Sequence, residues 1–202
     1  MSNPKIAIVI GSTRDARFAD KPANWLFAKV KDLSSDLDFD LVDLKDYDLP
    51  MFNEMASNLW MPSTDAKAIA WQEKMAEYDG YIFVTPEYNS SIPASLKNAL
   101  DQAGKEWVRK PAAVFGYGAV GGARAVEHLR AVAINLQMVP VRSAVYISGS
   151  DFFKVSPLGA NAEMSEIEAG ILPSVEAMLG DLTWWTHATK AARAEGSMEK
   201  AA

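Results

Sequence analysis

Apolar positions recur along the chain in two alternating rhythms. Short β-branched or aromatic runs at residues 6–10, 39–44, 81–85, 112–115 and 143–147 each precede a stretch long enough for a helix. The run at 6–10 is continuous, as in a strand covered on both faces of a parallel sheet, whereas 39–44 alternates with Asp40 and Asp43. Between the runs, Ala68, Trp71, Met75 and Tyr78, and again Val126, Leu129, Ala133 and Leu136, recur at helical spacing and give each segment one apolar stripe. A last helix is marked by Ile167, Ile171, Val175, Met178, Leu182 and Trp185, with Pro173 kinking it or marking its start. Asp20, just ahead of Pro22, predicts the N-cap of the first helix. The order reads as five βα units, an α/β domain built on a parallel sheet. One domain spans residues 1–202, with a loose polar tail from about residue 189.

Composition narrows the function. The 202 residues are 49% hydrophobic and 23% charged, enough for a packed core, and the formal net charge of −6 opposes binding to nucleic acid. There is no cysteine, which excludes disulfides, thiolate metal sites and cysteine nucleophiles. His128 and His187 have no metal-ligand partner at a suitable spacing. No stretch approaches the roughly 20 apolar residues of a membrane span, and nothing resembles a secretory leader. A soluble, cytoplasmic protein is expected, without a membrane partner.

If the sheet takes the order 2-1-3-4-5, ligands belong at the switch point between the first and third strands. The loops there carry the unusual residues. After the first strand, Gly11 permits a sharp turn, Ser12 and Thr13 offer hydroxyls, and Arg14 and Arg17 add positive charge to an acidic chain, which suits a terminal phosphate. After the third, Pro86, Glu87, Tyr88 and Asn89 lead into Ser90, Ser91 and Pro93, a restrained loop suited to a planar heterocycle. The plain alternatives are an ordinary Gly-Ser turn with exposed arginines, and a turn with Tyr88 packed on its own domain. After the fourth strand, Gly116, Tyr117, Gly118 and the residues to Gly122 spell GxGxxG, but no Asp or Glu lies in 136–150 to hold a ribose. It reads as a pliant backbone loop. A Walker sequence is absent. Glu87 is a ligand contact or an ion-pair partner, and His128 a solvated or interface residue. Two irregular apolar segments, 50–64 with Met51, Met55, Trp60 and Met61, and 148–162, shelter something or meet another subunit.

These residues resemble the NADPH-dependent FMN reductase family. The resemblance rests on Gly11 to Arg14 with Arg17, on Pro86 to Asn89 followed by 92–99, and on Gly121 to Arg124 with His128 to Arg130. It implies a flavodoxin-like three-layer α/β fold with helices on both faces of a five-stranded sheet. It also implies FMN, its phosphate at Ser12, Arg14 and Arg17, its ring against Pro86 to Asn89 and its pyrimidine edge near Gly116 to Gly118. The cofactor-binding set is thus Ser12, Thr13, Arg14, Arg17, Phe18, Pro86, Glu87, Tyr88, Asn89, Gly116, Tyr117 and Gly118, with no catalytic side chain and no metal. Ala16 stands where many relatives have glycine. Hydride from NADPH or NADH would pass to FMN and then to flavin, quinone or a similar acceptor, with Arg14, Arg17 or Arg124 meeting a 2′-phosphate. A homodimer or homotetramer is implied. The alternative is a flavodoxin-type electron carrier, against which Arg14 and Arg17 speak.

Overall fold

The computed structural model describes residues 3–195. Strands β1 (Lys5–Ile10), β2 (Asp38–Asp43), β3 (Gly80–Pro86), β4 (Pro111–Tyr117) and β5 (Val139–Ile147) pair in parallel in the order β2-β1-β3-β4-β5. This is the order that the family resemblance implied. Every residue of β3 and β4 is buried, as expected of inner strands covered on both faces. Edge strands are the more polar ones: β2 carries Asp38, Asp40 and Asp43, and β5 admits Pro140 because a missing amide is tolerated at an edge.

Alternate strand residues feed two cores. Ile6, Ile8 and Ile10 point to one side, where α1 (Asp20–Leu33) and α6 (Glu168–Ala194) bring Leu26, Val30, Val175 and Met178. Ala7 and Val9 point to the other, where α2 (Ala66–Ala76), α3 (Ala94–Asp101) and α4 (Ala123–Asn135) bring Trp71, Met75, Leu96 and Leu129. Trp71 and Trp107 are both buried there, and each indole N–H donates to a backbone carbonyl, Ala99 at 2.8 Å and Ala103 at 2.9 Å. Burying these rings therefore leaves no orphaned donor.

Three expectations need correction. Asp20 is not the N-cap of α1; the cap position is Ala19, and the Asp20 carboxylate is held by Arg17 instead. Helix α6 begins at Glu168, ahead of Pro173, and continues to Ala194, past the point where a loose tail was expected. Its end is fixed because Lys190 and Arg193 reach Asp79 at 2.7 and 2.9 Å, at the entry to β3. The rest of that tail, 196–202, lies outside the described residues. Segment 148–162 is also not irregular throughout, since it contains α5 (Gly149–Val155).

Burial pushes the Asp79 carboxyl up, but hydrogen bonds from Lys190 and the Lys5 amide and the charges of Lys190 and Arg193 outweigh it, and the group sits below its ordinary value of 3.8. A carboxyl lowered on folding stabilises fully above its unfolded pKa, and that contribution is lost as pH falls through the folded one. Acid unfolding followed by circular dichroism should show the parent losing stability below about pH 4. Asp79→Asn should be about 1–3 kcal/mol less stable at neutral pH and show a shallower acid dependence. Parallel acid limbs would exclude this role.

Candidate functional site

β1 and β3 are neighbours whose next strands lie on opposite sides, which opens a crevice at their carboxyl ends. Two contacts set the geometry there. The Gly11 amide donates to the Val84 carbonyl at 2.9 Å, and Ser95 Oγ donates to the Gly11 carbonyl at 2.9 Å. A Cβ at Gly11 would lie 3.0 Å from Leu96 Cδ2 and 3.1 Å from Val84 O, so any larger residue there would have to push these neighbours back by a few tenths of an ångström. Beyond it, among the described residues, the amides of residues 12–16 donate to no protein acceptor. A run of unpaired amides of this kind can accept an anion. Arg14 is exposed beside it, its guanidinium 5.5 Å from the centre of the Tyr88 ring.

Arg17 has a different place. Its Nε and Nη2 donate to Asp20 at 3.0 and 2.6 Å, its Nη1 donates to Asp43 Oδ1 and to the Ser12 carbonyl at 2.7 Å each, and Nη2 also meets Asp43 Oδ2. A guanidinium has five N–H donors, and all are taken. The side chain is only 7% exposed. Burial would push the Asp43 carboxyl up, yet the Arg17 and Lys45 hydrogen bonds hold it below 3.8. In this arrangement Arg17 has no donor left for a phosphate. It ties the loop after β1 to the last residue of β2.

The loop after β3 is a tight turn in which Tyr88 and Ser91 exchange backbone hydrogen bonds at 2.9 and 3.0 Å. Asn89 and Ser90 at its tip have φ of 50° and 66°, the left-handed pair that a primed turn requires. Two latches fix it to α4. Glu87 accepts from the Arg124 amide at 3.1 Å and from Arg124 Nε at 2.5 Å, and Ser91 Oγ lies 2.7 Å from His128 Nδ1. Glu87 is thus an ion-pair partner that also takes an orphan amide at a helix N-terminus. Tyr88 Oη lies 3.0 Å from Ser12 Oγ and joins this loop to the first. In the third loop, a Cβ at Gly116 would lie 2.7 Å from the Gly121 carbonyl, so the glycine pattern there serves backbone packing.

The three loops enclose a cavity of about 310 Å³. Of the expected set, Arg14, Arg17, Phe18, Pro86, Glu87, Tyr88, Tyr117 and Gly118 lie on its wall. Ser12 is buried behind Tyr88, Thr13 faces a neighbouring hollow with Tyr47 and Ser95, Gly116 is covered by Gly121, and Asn89 sits at the turn tip. Sequence reasoning missed Phe152, Phe153, Ser156, Pro157 and Leu158, which close the cavity from α5 and the turn after it. The apolar character of 148–162 was the available signal. A larger groove of about 920 Å³ lies between the end of α1, with the residues leading into β2, and α6, and none of the loops after β1, β3 or β4 lines it.

A doubly wound parallel sheet in the order β2-β1-β3-β4-β5, with helices on both faces, is the flavodoxin-like fold. The family model described as NADPH-dependent FMN reductase matches residues 4–152, and the chain belongs to that family. It is 32% identical over 178 residues to an NAD(P)H-dependent FMN reductase of Nectria sp., covering 82% of this chain and 89% of the relative. It is 38% identical over 142 residues to a 2-hydroxy-1,4-benzoquinone reductase of Burkholderia sp., covering 67% and 73%. Among solved structures, the flavoenzyme NAD(P)H:(acceptor) oxidoreductase FerB of Paracoccus denitrificans shares the fold, with a TM-score of 0.66 over 92% of this chain and 98% of the other at 23% identity. The chain is an FMN-dependent NAD(P)H oxidoreductase.

Because Arg17 is buried between two carboxylates, Arg17→Ala should lower the stability of the flavin-free protein by about 2–4 kcal/mol. Arg17→Lys should recover little, since a single ammonium cannot pair bidentately with both. Thermal melts without flavin decide this. Melting unchanged in Arg17→Ala would make the residue a free ligand donor.

Proposed function

We propose that the chain passes electrons from NAD(P)H to quinones or free flavin, with FMN held where the three loops meet. The observation that carries the reading is the run of unpaired amides at residues 12–16 beside Arg14, facing the Tyr88 turn across the switch point. Those amides and Arg14 would hold the phosphate, Thr13 adding a hydroxyl at the exposed side and Ser12 one beside Tyr88. Pro86 to Asn89 would flank the ring, and Gly116 to Gly118 its polar edge. Bound there, FMN supplies the hydride acceptor and donor of the reaction.

The protein's own work is placement. Arg17 acts as a positioning residue, fixing the loop that carries the amides, while Glu87 holds its turn against α4 through Arg124. Preset donors need no reorganisation when charge arrives, which favours the transfer. Phe18, Tyr117 and Phe152 exclude water from the inner wall. A small-molecule acceptor is supported by the quinone-reducing relative, and the net charge of −6 argues against nucleic acid. Among the described residues no helix is long and apolar enough to cross a membrane. A cytoplasmic location, where NAD(P)H is available, belongs to the same reading. So does a homodimer or homotetramer, supported by the exposure of Met51, Met55 and Trp60 on segment 50–64.

Purified protein loaded with FMN should lose its visible flavin absorbance on anaerobic addition of NADPH and oxidise NADPH continuously once a quinone is present. Arg14→Ala should weaken FMN binding about ten- to a hundredfold while leaving the flavin-free melting temperature in place. Bleaching without turnover on any quinone or flavin would favour the carrier alternative. FMN bound equally well by Arg14→Ala would remove the phosphate assignment.

A further inference from the structure

We propose that the hydroxyls of Tyr117 and Ser156 form an inner subsite of this cavity that hydrogen-bonds the ribityl–phosphate chain of the mononucleotide. The assignment rests on the FMN reading above. Among the described residues, Tyr117 Oη and Ser156 Oγ are the buried side-chain polar atoms with no hydrogen-bond partner, and both residues line this one cavity. Buried hydroxyls are rarely left unpaired, because desolvation is then uncompensated. Two on one wall point to a partner supplied from outside the chain.

Their placement fits. Tyr117 closes β4, is 4% exposed, and packs edge-on against Phe18 with ring centroids 5.2 Å apart. It shares the cavity wall with Arg14, Arg17 and Tyr88. Burial pushes this phenol far above its ordinary value, so it stays protonated and can donate. Ser156 is fully buried on a fixed backbone. Its amide donates to Phe152 O at 2.9 Å, and its carbonyl accepts from Gly159 and Asn161 at 3.0 and 3.1 Å. Lys21, from the first turn of α1, holds the same segment through Val155 O at 3.1 Å and Asn161 Oδ1 at 2.7 Å. The unpaired Ser156 hydroxyl is therefore not that of a loose loop.

The chemistry of the wall selects the ligand. A hydroxyl can both donate and accept, as the hydroxyls of a sugar alcohol require, and the apolar faces of Phe18 and Phe152 suit its carbon chain. Arg14 stands at the same cavity for the anionic end. Both hydroxyl oxygens are closed off from bulk water, so a ligand reaches them only as the wall gives. Phe153 and Leu158, on the same wall, are exposed.

The flavin-free parent, Tyr117→Phe, Ser156→Ala and the double variant would be titrated with FMN and with riboflavin by flavin fluorescence, and melted without flavin. Each substitution should raise the FMN dissociation constant about tenfold, while the flavin-free melting temperature stays level or rises, because an orphaned hydroxyl has been removed. Riboflavin weakened in parallel places the contact on the ribityl hydroxyls; weakening of FMN alone places it on the phosphate. FMN affinity unchanged in the double variant overturns the proposal. So does a lower melting temperature at unchanged affinity, which would make the hydroxyls purely structural. A parent that binds no FMN defeats the underlying reading, a result distinct from variants that match a binding parent.

Discussion

One guanidinium holds the shape on which the site depends. Arg17 joins the start of α1, the end of β2 and the turn after β1 through Asp20, Asp43 and the Ser12 carbonyl. Its charge also matters in a chain with a net charge of −6. Without it, two carboxylates would stand unpaired beside the loop after β1; with it they are paired, and the unpaired amides and Arg14 set the local sign. The buried arginine of the loop acts by neutralising and positioning, and the other, Arg14, stays exposed.

The same division of labour runs through the other loops. Glu87, only 6% exposed, is paired with Arg124, and Ser91 with His128, so the turn after β3 is anchored on α4 at two points one helical turn apart. The turn residues Asn89 and Ser90 accept a left-handed backbone that the latches make affordable. Tyr88 then bridges to Ser12 and completes the rim. Rigidity of this kind suits redox chemistry in which the protein contributes orientation and electrostatics.

The strands and their buried faces were legible in the sequence because hydrophobic periodicity is a local signal: the runs at 6–10 and 81–85 lie within β1 and β3, whereas the strand order came from the family resemblance. The loops were legible by residue type, since glycine, hydroxyl and arginine in succession have few structural uses. Pairing was not. Nothing local to Arg17 reveals that Asp43, 26 residues away, takes two of its donors, and the same hidden pair turned Asp20 from an apparent helix cap into an ion-pair partner. The inner wall was illegible for another reason. Helix α5 spans only Gly149–Val155, too short to show a helical period, and Ser156 to Leu158 sit in the turn that follows it.

The most direct measurement is the phosphorus-31 resonance of FMN bound to this protein, followed across neutral pH. A phosphate monoester free in water titrates with a second pKa near about 6 and its resonance moves with it. Held by the loop amides and Arg14, the dianion is favoured and the resonance should stay fixed through that range. A bound FMN whose resonance still moves as in free solution would contradict the account, because its phosphate would then lie in water and not in the cradle after β1.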